Sequence, residues 1–404
     1  MIYLDNAATT RISPKVLKAM IPYLTEEYGN AGALYGLGRR AAEAIATSRL
    51  QVADLIDAEP EQIIFTSGGT EANNLAILGC RDYLAKIGKK HIVTSPTEHD
   101  SVLRAIDAVC KPLSCNTKKC IKDEFYTTYL PVDKYGHVSV SAFEQEVLSY
   151  DDIGLVSIMY MNNEVGAIND VERIGQICRK NNILFHTDCV QAAGIMSLDV
   201  KRISCDFMSL SSHKIHGSKG VGALYVRNKE MLSAIINGGA GQEYGMRGGT
   251  ENVAGIVGFG MACELVSKYR EFYNDVLIDH KLVFVDILKE RLSEYNLGDI
   301  LHINGQPPDL AGKTLSLTFD DVDAETLVLM CDTKGLCISA GSACRSHESK
   351  PSRTLLASGK SEDDARNTVR ISFSELNEES DVVRGAQILA SCVKALRSAY
   401  DEIP

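Results

Sequence analysis

Three strand-like runs end in residues able to do chemistry. In DFMSLSSHKIHGSKGVG (206–222), an apolar run closes on Ser211, His213 and Lys214, and Gly217, Gly220 and Gly222 then let the chain turn tightly. A deprotonated lysine amine adds to an aldehyde and can later carry a proton. A lysine at a strand end also simply places its charge in solvent. In ILFHTDCVQAAG, Asp188 ends another apolar run and Gln191 follows three residues later. That carboxylate suits a protonated heterocycle and the amide suits a ring oxygen, although Asp188 serves equally as the cap of a following helix. In IIFTSGGTEANN, Ser67, Gly68, Gly69 and Thr70 lead into a helical pattern. Glycines permit close approach, and a helix N-terminus offers unpaired N–H groups to a phosphate; Thr70 is also a natural N-cap.

Taken together, a phosphate cup, a carboxylate and a lysine at strand ends provide the three attachments that pyridoxal 5'-phosphate needs. The phosphate is anchored, the aldehyde is bonded, and the pyridine nitrogen is kept protonated so that the ring accepts electrons. His99, in TSPTEHDS, is placed to stack over such a ring, and Asn163, in MYMNNEVG, to hydrogen-bond near its oxygen. Arg370 alternates with Val369 and Ile371 in NTVRISFSE. Its guanidinium suits either an amino-acid carboxylate or an acidic side chain of the protein. Cys344 lies in LCISAGSACRSHESK, among residues too small to require a core sulfur. A thiolate that attacks a sulfur atom leaves a persulfide.

Other cofactor chemistries find less support. No strand–GxGxxG–helix pattern occurs, and ASGKS at 357–361 lacks the first glycine of a P-loop, because Thr354 stands there. Cys110, Cys115 and Cys120, and the looser series Cys331, Cys337 and Cys344, have no compact CxxC pairing of a zinc site.

The elements that must position these residues alternate in period. A strand at IYLD precedes a helix beginning near Pro14, and helical spacing recurs from Arg39 to Ile56. Strands are expected at 63–69, 91–96, 155–161, 183–188, 207–211 and 222–226, with helices between the earlier ones. This pattern predicts an α/β fold, with a large, mostly parallel sheet flanked by helices plus a smaller α+β domain. The expected division places residues 13–258 in the large domain. Residues 1–12 and 259–404 form the smaller one, which carries Cys344 and Arg370.

Composition narrows the class. The 404 residues include 53 acidic and 42 basic side chains, a formal charge of −11, which argues against direct nucleic-acid binding. No apolar run reaches membrane-spanning length, and the N-terminus does not read as a secretory signal. Twelve cysteines without a short repetitive framework suit a reducing cytoplasm.

The ordered set YLDNAATT (3–10), EEYGNAGALYGLGRRA, FTSGGTEANN, TEHDSVL, NNEVG, HTDCVQAAG, SSHKIHGSKGVGALYV, RGGTEN and SAGSAC covers nearly the whole chain. It resembles the NifS/IscS-type cysteine desulfurases, pyridoxal-phosphate enzymes of fold type I within the class V aminotransferase family. The resemblance implies a seven-stranded main sheet, with Lys214 bonding the cofactor, His99 stacking on its ring and Asp188 pairing with its pyridine nitrogen. Gln191 and Asn163 would sit near the phenolic oxygen, and Gly69, Thr70, Ser211 and His213 at the phosphate. Thr250 would reach the phosphate of the neighbouring subunit's cofactor, implying a homodimer. Arg370, helped by Asn30 and Asn163, would bind the substrate carboxylate.

The implied activity converts L-cysteine to L-alanine and leaves the sulfur on Cys344 as a persulfide. An acceptor or scaffold protein would then take it for iron–sulfur cluster assembly. Related outlets are tRNA thiolation, DNA phosphorothioation, selenocysteine cleavage and a non-catalytic sulfur-transfer scaffold. Three departures stand out. GNAGALYGLGR replaces GNPSSxHxxGR, with Ala31 and Tyr35 at the proline and histidine positions. HGSKG replaces HGPKG, and SFSELNEES after Arg370 replaces SLGRxxTEEE.

Overall fold

A computed structural model describes residues 1–110, 125–239, 241–305, 307, 310–341 and 351–401. Its strands are β1 (Ile2–Tyr3), β2 (Ile63–Thr66), β3 (His91–Thr94), β4 (Tyr126–Tyr129), β5 (Ile153–Ser157), β6 (Leu184–Asp188), β7 (Phe207–Ser211), β8 (Gly222–Val226), β9 (Leu301–Asn304), β10 (Thr314–Phe319), β11 (Leu336–Cys337) and β12 (Thr368–Ser372).

Among the described residues, β2 to β8 form a seven-stranded sheet in the order β2-β8-β7-β6-β5-β3-β4. The pairs from β4 through β7 are parallel, and β8 runs antiparallel to both β7 and β2. Both faces are covered, which is why these strands read as continuous apolar runs. Ile64, Ile92, Leu155, Leu184, Phe207 and Leu224 pack on one face with the helices Gly69–Gly79 and Asp100–Cys110. Their neighbours Phe65, Val93, Val156, Phe185, Met208 and Ala223 point into the core on the other face, as the two-residue period of a strand requires.

The expected strand and helix positions hold, with boundary shifts of a few residues. Two local expectations are corrected. The helix after β2 begins at Gly69, and its N-cap is Gly68 rather than Thr70. Gly68 has φ +149°, which is open to glycine but not to a residue with a Cβ. After β6 the chain passes through turns instead of entering a helix, so Asp188 is no helix cap. It closes a local turn, accepting from the Val190 N–H at 2.9 Å.

The remaining strands lie in smaller sheets. β12, β10 and β9 pair antiparallel, and β1 pairs parallel with β11. The N-terminal segment therefore joins elements from the far end of the chain, and a bridge from Asp5 to Ser372 extends this connection. One helix, Val253–Glu294, runs 42 residues through the position where the sequence reading set a boundary. It packs along the helices Gly36–Leu55, Pro14–Thr25 and Glu379–Asp401. Phe185 of the large sheet and Leu317 and Ile371 of the three-stranded sheet share one continuous apolar core. Among the described residues, no helix is long and apolar enough to cross a membrane.

Candidate active site

The parallel strands β5, β6 and β7 point their C-terminal ends toward one cleft of about 460 Å³. This is where open α/β sheets place ligands. The turn after β2 closes one side, and Arg370 enters from the three-stranded sheet. Lys214, Asp188, Gln191, His99 and Asn163 all line the cleft, as do Gly69, Thr70, Ser211 and His213.

Lys214 follows β7 in a single 3-10 turn, Ser212–Lys214. Its Nζ donates to the backbone carbonyls of Ala7 (2.7 Å) and Ala8 (2.8 Å), so the N-terminal segment holds the amine. Asp188, 4% exposed, accepts from Asn73 Nδ2 at 2.7 Å in addition to the Val190 N–H. The amide of Gln191 donates to the Ala7 carbonyl at 2.9 Å. His99 immediately precedes the helix Asp100–Cys110, and its Nδ1 accepts from the Ser101 N–H at 3.1 Å.

The cup after β2 depends on close backbone approach. A Cβ at Gly222 would come within 2.7 Å of Gly68 Cα, and one at Gly69 within 2.6 Å of Val190 Cγ2. Glu71 also lines the cleft, where it accepts from the Ser67 N–H at 2.8 Å and pairs with Arg247 at 2.9 Å. Burial opposes its charge, but the hydrogen bonds from Arg247 and Ser67 hold its carboxyl below the usual range. Burial, and then the charges of Lys214, Lys313 and Lys219, push His213 down to about 4, so its ring is neutral at physiological pH.

Arg370 is 2% exposed and bridges two parts of the cleft wall. Nη2 donates to Asp5 Oδ1 at 2.7 Å and Nη1 to the Asn163 carbonyl at 3.1 Å. Two expected site residues lie elsewhere. Asn30 is exposed, outside the cleft lining, and its Oδ1 accepts from the Gly32 N–H at 2.8 Å. Thr250 is exposed just before the long helix and does not line this chain's cleft. Cys344 lies outside the described residues, as do Cys115 and Cys120. Of the other cysteines weighed for metal, Cys110 sits 3.1 Å from Thr127 Oγ1, Cys331 is buried and Cys337 is half-buried.

Sequence reasoning missed Asn73, the partner of Asp188, and the Ala7 and Ala8 carbonyls that hold Lys214. Asn73 carried a signal, since it lies three residues after Thr70 on the same helix face. Backbone carbonyls carry none.

The residues fit pyridoxal phosphate on an observation of the cleft itself. Gln191 Oε1 and Ser211 Oγ are buried there without a hydrogen-bond partner among the described residues. Native proteins seldom leave such atoms unpaired, so a polar ligand is the natural partner. The helix N-terminus, Thr70, Ser211 and neutral His213 would receive its phosphate. Asp188 would receive its ring nitrogen, Gln191 its ring oxygen and Lys214 its aldehyde.

Comparison with known proteins gives a consistent result. The aminotransferase class-V family model matches residues 2–384. A cysteine desulfurase IscS from Methanosarcina thermophila is 39% identical over 398 residues, spanning 98% of this chain and 93% of that protein. A solved NifS-like protein is similar with a TM-score of 0.82 at 31% identity, covering 98% of this chain and 99% of the other. The structure of SspA in complex with cysteine gives a TM-score of 0.74 at 31% identity, covering 93% and 99%.

Proposed function

Because the chain belongs to the class-V aminotransferase family, we propose that it is a pyridoxal-phosphate-dependent cysteine desulfurase, converting L-cysteine to L-alanine and supplying sulfur for iron–sulfur cluster assembly. The observation that carries this reading is the meeting of Lys214, Asp188, His99 and Arg370 in one cleft beside a glycine-lined helix N-terminus.

The bound cofactor supplies an electron sink, which the chain's own side chains lack. Asp188, oriented by Asn73, would hold the proton of the ring nitrogen, and His99 would cover the ring. Arg370 orients the carboxylate of L-cysteine, with the Asn163 segment fixing the guanidinium. Lys214 takes the substrate α-proton and returns a proton to product carbon. Cys344 attacks the substrate sulfur: the carbon–sulfur bond breaks and a sulfur–sulfur bond forms. The carbon is reduced to a methyl group as the sulfur is oxidised to a persulfide, so no outside oxidant is needed. A reducing thiol or an acceptor protein then takes the sulfur from Cys344.

Thr250 is the residue we assign to a second subunit's phosphate site, in a homodimer of the cytoplasm. Its exposure beside the long helix leaves it available for that role. The reading is tested by incubating cofactor-loaded protein anaerobically with L-cysteine and a reducing thiol. Alanine and sulfide should appear in equal amounts; neither product above a protein-free control would refute it.

A further inference from the structure

Behind Lys214 lies a second, smaller cavity of about 50 Å³, large enough for water. Lys214 lines both this cavity and the cleft, so the residue stands between them. The second cavity is lined by another lysine, Lys313, together with Thr10, His216, Tyr273 and Glu375. Lys313 directly precedes β10 and is 5% exposed. Its Nζ donates to the backbone carbonyl of Lys214 at 3.1 Å, and its own carbonyl accepts from the Phe373 N–H at 2.8 Å. The three-stranded sheet thus delivers a buried amine to the back of the Lys214 turn.

The charges around Lys313 come from several elements. Lys214 and His213 face it from the turn after β7, and Arg370 from β12. Glu375 is the nearby carboxylate; it lies 3.2 Å from His216 Nε2, and His216 Nδ1 lies 2.8 Å from the Arg11 carbonyl. The Tyr273 hydroxyl completes the set, with burial raising its pKa above the ordinary value. Ser374 and Glu375 stand where the resembled family reads glycine and arginine, so the negative charge here is a feature of this chain. Burial first, and then the positive charge of Lys214, push Lys313 down to about 7. Two ammonium groups this close disfavour each other, so the pair tends to carry one proton fewer than two separate lysines would.

We propose that Lys313 is a positioning residue for Lys214: held against the Lys214 turn by its hydrogen bond to the Lys214 carbonyl, its buried positive charge opposes a proton on the Lys214 nitrogen and so favours the form that acts as a base. Glu375 is the counter-charge to the Lys313 ammonium. This inference rests on the desulfurase reading, in which Lys214 moves the substrate proton.

The test compares holoenzyme of the wild type, Lys313→Gln and Lys313→Arg after cofactor content is measured. Glutamine keeps a donor for the Lys214 carbonyl but cannot titrate, whereas arginine keeps the positive charge. Two readouts are followed: the pH midpoint of the bound cofactor's visible absorbance, without cysteine, and the acid limb of kcat. In Lys313→Gln both should move up by about one pH unit, because Lys214 loses a neighbour that opposes its proton. In Lys313→Arg the absorbance midpoint should stay at or below that of the wild type. Lys313→Met replaces the glutamine variant if the latter fails to retain cofactor. A wild-type midpoint in the uncharged variant, or equal shifts in the uncharged and arginine variants, would overturn the proposal. Alanine formation by the wild type is scored separately. Its absence removes the desulfurase reading, while the cysteine-free absorbance titration tests the coupling of Lys313 to Lys214 alone.

Discussion

Arg370 and Asp5, from opposite ends of the chain, hold each other at 2.7 Å inside the cleft wall. The guanidinium is 2% exposed, its Nη1 binds the Asn163 carbonyl, and its Nε is buried without a partner among the described residues. Removing one member of such a pair strands a charge in a poorly solvated place, at a cost of about 3–5 kcal/mol. Asp5→Ala should therefore lower the thermal midpoint clearly, as measured by calorimetry. A midpoint equal to the wild type would show that the pair does not hold the two ends together.

Lysine in place of Arg370 keeps the charge but loses the planar fork. Arg370→Lys should raise KM for L-cysteine by about tenfold or more, with cofactor content unchanged. An unaltered KM would remove Arg370 from substrate binding.

Asp188→Asn tests the ring-nitrogen contact. The substitution keeps the shape but removes the negative charge, and it turns one of the two oxygens that accept from Asn73 and the Val190 N–H into a donor. Alanine formation should fall by about 10²-fold or more while the fold persists. Activity within a few-fold of wild type would contradict the assigned role.

Lys214→Ala removes the amine that bonds the cofactor. After borohydride reduction, mass spectrometry should find cofactor mass on the Lys214 peptide of the wild type and none on the variant. Cofactor mass on another lysine of the wild type would move the assignment.

Acid should destabilise this fold through its buried histidines. His186 is fully buried between Ser157 Oγ (2.8 Å) and Ser209 Oγ (3.0 Å), and burial pushes it from 6.5 down to about 4. Above 6.5 the histidine is neutral both folded and unfolded, so its stability contribution is complete. Between 6.5 and about 4 the unfolded chain binds a proton that the folded one refuses, and stability falls with pH. The slope from this group is at most about 1.4 kcal/mol per pH unit, and His213 acts in the same direction. Denaturant unfolding at several pH values across that window should show the loss, and His186→Gln should flatten it. Equal slopes in the two proteins would contradict it.

The parts of the site that sit at strand ends were legible because strand period and strand end are local properties. Lys214, Asp188 and the Ser67–Thr70 turn each close an apolar run, and the structure brings all three to one cleft. What stayed hidden depended on distant chain or on backbone. Asp5 meets Arg370 only because β1 pairs with β11 and the next residues bridge to β12. The Ala7 and Ala8 carbonyls have no side-chain signature. The cap was misread because threonine is a good N-cap by propensity, whereas the approach of Gly222 to Gly68 required the glycine conformation one step earlier. Lys313 looked like an ordinary charged residue before the strand TLSLTF, and its burial follows only from packing against the Lys214 turn.

The central claim is that sulfur leaves L-cysteine for Cys344. The most direct measurement is a single turnover with sulfur-labelled L-cysteine and no reducing thiol, followed by mass spectrometry of the peptides and quantification of alanine. The account predicts one labelled sulfur atom on the Cys344 peptide for each alanine formed, and no label there in Cys344→Ala. Alanine without label on Cys344, or label confined to another cysteine, would contradict it.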